Sequence, residues 1–117
     1  MFRRVLVANR GEIALRVVRS LRELGIESVV IPGREDRMSL PVRLADEGFY
    51  IPREDPLATY LDIDAIVSAA KEVGADAVHP GYGFLSENAT FAQLLSEEGI
   101  AFIGPSPESL RLLGDKI

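Results

Sequence analysis

Ala77-Val78-His79-Pro80-Gly81-Tyr82-Gly83-Phe84-Leu85-Ser86-Glu87-Asn88, residues 77–88, runs from a short apolar segment through a glycine-rich turn into a helical pattern. An open α/β sheet builds its ligand-binding edge from such successions. A second exit of the same kind, Ala8-Asn9-Arg10-Gly11-Glu12, leaves the apolar run at 5–8 and opens another helical pattern. Outward from these two, short β-branched runs alternate with longer helical ones, the signature of consecutive βαβ units feeding a mostly parallel sheet. About five strands are predicted, near residues 4–7, 28–31, 48–51, 77–79 and 101–103, all short with apolar cores, as strands covered on both faces should be.

Helices are predicted near 12–24, 63–73 and 89–98, with a short fourth opening at Ser106-Pro107-Glu108 and ending near Gly114. The first carries Ile13, Val17, Leu21 and Leu24 as an apolar stripe widened by Ala14 and Val18. Asp62 is the expected N-cap of the second helix, with Ile63, Ile66, Val67 and Ala70 facing inward, and Asn88 is the expected cap of the third. Residues 32–41 and 52–56 read as polar, proline-broken loops. Two winding directions give the strand order 3-2-1-4-5, a Rossmann-like α/β sheet with helices on both faces. At the reversal, the turns after strands one and four should part and leave a crevice between Asn9, Arg10 and Gly11 on one side and residues 80–88 on the other.

Composition narrows the chemistry. The 117 residues carry a formal charge of -5 with Lys and Arg scattered among carboxylates, so no basic stripe exists to neutralise a nucleic acid backbone. There is no cysteine and one histidine, which excludes disulfides, thiolate nucleophiles and cysteine-ligated zinc. No run approaches the roughly 18 apolar residues of a membrane span, and a cytoplasmic location is expected. Neither a phosphate-cradling P-loop nor the three-glycine dinucleotide fingerprint occurs, which disfavours an NAD enzyme.

The run at 79–88, read with Arg43-Leu44-Ala45-Asp46-Glu47, Gly104-Pro105-Ser106-Pro107 and Gly114-Asp115-Lys116, closely resembles the amino-terminal, pre-ATP-grasp domain of biotin carboxylase. That family also forms the first part of acetyl-CoA, propionyl-CoA and pyruvate carboxylases. The resemblance covers nearly the whole chain, departing where Pro32-Gly33 and Pro41 replace the family's habitual residues.

Individual residues carry two readings each. Gly81 and Gly83 can simply form a tight strand-to-helix turn, or let the backbone approach a flat ligand with Tyr82 as an aromatic wall. The resemblance implies the second, with Tyr82 and Gly83 at the ureido ring of biotin. Glu87 sits where a helix dipole favours a carboxylate; the resemblance puts it near the bicarbonate and biotin pocket, a possible catalytic contributor. Lys116 reads as a solvated terminal charge, or by resemblance as a contact to ATP. His79 reads as a support for the glycine turn rather than a proton-transfer group. Arg16, Arg19 and Glu23 share one polar helix face, usually solvated, and by resemblance contribute to a homodimer contact.

As implied by the resemblance, the complete enzyme uses ATP, magnesium and bicarbonate to carboxylate biotin on a carrier domain or protein, alongside further ATP-grasp domains and a carboxyltransferase. The glycine-rich lid, metal ligands and bicarbonate-binding arginines would lie beyond this chain, which by itself should be catalytically silent. Two alternatives stay open at this point: the opening domain of another ATP-grasp ligase, and a stand-alone binding or dimerisation module.

Overall fold

The computed structural model describes residues 2–33, 39–51 and 56–104, except the side chains of residues 56 and 57. Lys116, the fourth predicted helix and the centres of both proline-broken loops lie outside these residues. The chain order is β1 (Arg4–Val7), α1 (Gly11–Glu23), β2 (Glu27–Val30), α2 (Leu40–Leu44), β3 (Glu47–Gly48), α3 (Pro56–Thr59), α4 (Ile63–Glu72), β4 (Ala77–His79), α5 (Ala89–Glu97) and β5 (Ala101–Phe102). The strands form one sheet in the order β3-β2-β1-β4-β5, every neighbouring pair parallel. Both the architecture and the strand order read from the sequence are the ones observed.

Alternation along β1 divides the core in two, because successive side chains of a strand point to opposite faces. Val5 and Val7 join Val17, Val18 and Leu21 of α1 on one face, with Val30 and Ala77 from the flanking strands. Leu6 joins Val29 and Val78 on the other, under Ile66, Ala69 and Ala70 of α4 and Phe91 and Leu95 of α5. With both faces covered, residues 5–7 of β1 and 29–30 of β2 have no solvent side, which is why they are apolar rather than alternating.

Two caps are where the sequence placed them: Asp62 accepts from the Ala65 amide at 3.0 Å, and Asn88 accepts from the Phe91 amide at 2.9 Å. Each satisfies one of the orphan amides of a first helical turn. Several expectations are corrected. β3 spans 47–48 rather than 48–51, because β2 ends at Val30 and offers Gly48 its last partner. Leu24 is 60% exposed, since it is the C-cap of α1, where the helical period no longer applies. Leu15 is buried outside the predicted stripe, and α1 packs against α2, an element that a broken loop did not foretell. Pro41 falls in the first turn of α2, where its missing N–H removes no intrahelical bond.

The amino ends of the strands are tied at the edge away from the turns. Arg4 pairs with Glu27 and Glu47, and its Nε donates to the Val73 carbonyl at 2.8 Å. Asp76 accepts from the amides of Arg3 and Arg4 at 2.9 and 3.1 Å. Partial burial pushes the Asp76 carboxyl up, but those amide bonds outweigh it and hold the group below its usual range. Among the described residues no helix is long and apolar enough to cross a membrane.

Candidate functional site

At the carboxyl edge β1 and β4 are neighbours in the register Val5↔Ala77, Leu6↔Val78, Val7↔His79, and the Ala8 amide adds one more bond to the His79 carbonyl at 2.9 Å. Residues 8–11 and 80–83 therefore leave the sheet side by side. They lead into helices on opposite faces of the sheet, as the sequence suggested, but the gap between them is bridged where an open crevice was expected. Asn9, 2% exposed, fills the gap: its Nδ2 donates to the Pro80 carbonyl at 2.8 Å and the Tyr82 carbonyl at 2.6 Å, while its Oδ1 accepts from the Arg10 amide at 2.8 Å. A buried carboxamide is stable only with its donors and acceptors paired, and between two polar turns it finds partners that a crevice would have left to water.

The turn after β4 is wound tightly. Gly81 has φ +65°, and a Cβ there would lie 2.7 Å from the Ile13 methyl carbon Cγ2 and 2.9 Å from Asn9 Nδ2, so only glycine permits this approach. Phe84 also sits in the left-handed region at φ 46°, an arrangement that costs a non-glycine residue of order 1 kcal/mol. Its ring is held against Tyr60, centroids 5.1 Å apart, and the buried Tyr60 hydroxyl donates to the Ile31 carbonyl. Leu85, 4% exposed, pins the far side of the turn. Between these anchors Tyr82 stands 80% exposed, followed by Gly83, around whose would-be Cβ nothing lies within 4 Å. An amphipathic ring beside bare backbone can offer stacking and main-chain hydrogen bonds to a planar polar ligand.

His79 supports this turn, as its place at the strand end suggested. Its Nδ1 accepts from the Gly81 amide at 3.1 Å, which requires that nitrogen unprotonated and puts the neutral ring's proton on Nε2. Burial pushes the imidazole pKa below its usual value. Because the unfolded chain then binds the proton more readily, stability contributed by neutral His79 is complete above about pH 6.5 and is lost progressively below it, until the folded group itself protonates. Denaturant midpoints should fall between about pH 7 and pH 5, and His79→Gln should flatten that slope. An identical slope in the variant would assign the pH dependence to other groups.

The other predicted site residues are scattered. Glu87 is exposed at the end of the turn, beside the capping Asn88. Arg16, Arg19 and Glu23 are all exposed on the outer side of α1, where Arg16 meets Glu12 at 3.6 Å in a largely solvated pair. A hollow beside the turn after β1 lies on its β2 side, between Arg10, Gly11, Pro32 and Ser39, and holds about 10 Å³, room for about one water. Sequence reasoning missed the roles of Asn9, Tyr60 and Phe84. Only Asn9 left a signal, a polar side chain directly after a buried strand.

The profile of the biotin carboxylase N-terminal domain matches residues 1–110. This chain belongs to that family. It is 51% identical over all its 117 residues to the biotin carboxylase of Halalkalibacterium halodurans, covering 26% of that protein. It is 53% identical to the pyruvate carboxylase of Schizosaccharomyces pombe over 98% of this chain and 10% of the relative. Among solved structures, the biotin carboxylase domain dimer of Hydrogenobacter thermophilus 2-oxoglutarate carboxylase, in complex with MgADP, ADP and bicarbonate, superposes with a TM-score of 0.92 at 53% identity over 97% of this chain and 25% of that one. The chain therefore spans about a quarter of the biotin carboxylases it matches. The motif at 79–88 sits in this biotin carboxylase N-terminal domain at the sheet's reversal point, the position where doubly wound folds bind ligands.

Proposed function

We propose that this domain supplies one wall of the pocket in which biotin is carboxylated, within a longer ATP-dependent carbon–nitrogen ligase. The observation that carries the reading is the Tyr82-Gly83 pair, an exposed ring and open backbone on a turn anchored at both ends. In this reading Tyr82 lies against the ureido ring and the Gly83 backbone meets its polar edge, while Glu87 orients polar groups near bicarbonate. Lys116 neutralises ATP phosphate charge where this domain joins the following ATP-grasp domains. ATP with magnesium supplies activation of bicarbonate, as the nucleotide, magnesium and bicarbonate bound to the 2-oxoglutarate carboxylase domain support. A carrier domain or protein presents biotin, and a carboxyltransferase takes the product to its final acceptor. The exposed face of Arg16, Arg19 and Glu23 meets a second copy, and the enzyme works in the cytoplasm.

The test uses the complete carboxylase that carries this domain. Tyr82→Ala should raise KM for free biotin up to about tenfold, the equivalent of a lost aromatic contact. Lys116→Ala should raise KM for ATP instead. Unchanged biotin kinetics would remove Tyr82 from the pocket, and bicarbonate-dependent ATP cleavage by the 117-residue chain alone would contradict its role as one wall of a larger site.

A further inference from the structure

The Asn9 side chain joins the two exit turns, and we infer that it is a positioning residue for biotin: its carboxamide sets the height and angle at which Tyr82 and Gly83 meet the ligand. The inference rests on the reading of that turn as the biotin wall. Three observations lead to it. Asn9 bonds to carbonyls on either side of Gly81, at Pro80 and at Tyr82, so it grips the turn across the residue that cannot carry a side chain. The Tyr82 carbonyl it holds belongs to the peptide joining Tyr82 to Gly83, the pair proposed to face the ligand. Finally, Asn9 is itself fixed, 2% exposed and bonded through Oδ1 to the Arg10 amide, so it transmits the position of β1 rather than following the turn.

Among the described residues the Tyr82 side chain has no such anchor, being 80% exposed, and its placement depends on the backbone below it. Misplacing a binding group by about 1 Å can cost as much as a hundredfold in rate, so a loosened turn should be felt in biotin kinetics before anything else. A residue that merely stabilised the fold would weaken the use of both substrates in parallel.

In the complete carboxylase, Asn9→Asp keeps the shape but turns an oxygen toward the Pro80 and Tyr82 carbonyls, and Asn9→Ala removes the clasp without that repulsion. Either folded variant should raise KM for free biotin about tenfold while KM for ATP moves less than about twofold. A biotin KM unchanged in the folded variants, with Tyr82→Ala raising it, would overturn the positioning role. Parallel losses for biotin and ATP would overturn it too, reducing Asn9 to a structural bond. If Tyr82→Ala itself leaves biotin KM unmoved, the reading of the turn fails and this inference falls with it.

Discussion

Gly81→Ala should lower the unfolding free energy by roughly 2–4 kcal/mol, the sum of a left-handed backbone penalty and overpacking against a filled neighbour. The φ of +65° accounts for the first part, and the 2.7 Å approach to Ile13 Cγ2 and 2.9 Å approach to Asn9 Nδ2 for the second. Gly83→Ala is the natural comparison. Its φ is +66° with nothing within 4 Å, so it should lose only the backbone part, about 1–2 kcal/mol. A double-mutant cycle with Ile13→Ala, which deletes the obstructing methyl, should recover much of the difference. Equal urea midpoints for Gly81→Ala and Gly83→Ala would mean that the two exit turns are not in contact.

Phe91→Ala should cost about 3–5 kcal/mol, a large share of the 5–15 kcal/mol available to an ordinary domain. The ring is fully buried under the sheet and meets Phe102 edge-on, centroids 5.9 Å apart. The Asn88 cap accepts from the backbone amide of the same residue, which Phe91→Ala keeps, so the loss reads the buried ring rather than the cap. The nearby Lys71–Glu98 pair, at 3.2 Å but 55% and 40% exposed, should by contrast contribute under about 1 kcal/mol. A loss below about 1.5 kcal/mol for Phe91→Ala in urea unfolding would show that this half of the core closes around the gap.

What was readable in the sequence was local or periodic. The apolar runs of β1, β2 and β4 and the stripes of α1 and α4 follow from side-chain spacing, and the caps at Asp62 and Asn88 from residue type beside a helical pattern. Strand order followed from connection rules that apply to any chain with this alternation. The site was legible only as a place. The motif at 79–88 pointed to the carboxyl edge of the sheet, where it lies beside residues 8–11, and resemblance to biotin carboxylase named Tyr82 and Gly83. The predicted crevice was wrong in shape, because nothing in the order of residues says that the Asn9 carboxamide spans to Pro80 and Tyr82, 71 and 73 positions away.

By itself, then, the sequence determined a parallel five-stranded sheet, its winding and the edge at which its glycine-rich turn leaves, since these rest on hydrophobic period and on chain connections that each segment carries within itself. The tertiary structure alone decided that Asn9 closes the gap between the turns, that Gly81 admits no Cβ, and that Phe84 holds a left-handed backbone against Tyr60. Those features depend on distances between segments far apart in the chain, fixed only when β1 and β4 lie side by side and bring two polar turns within hydrogen-bond reach.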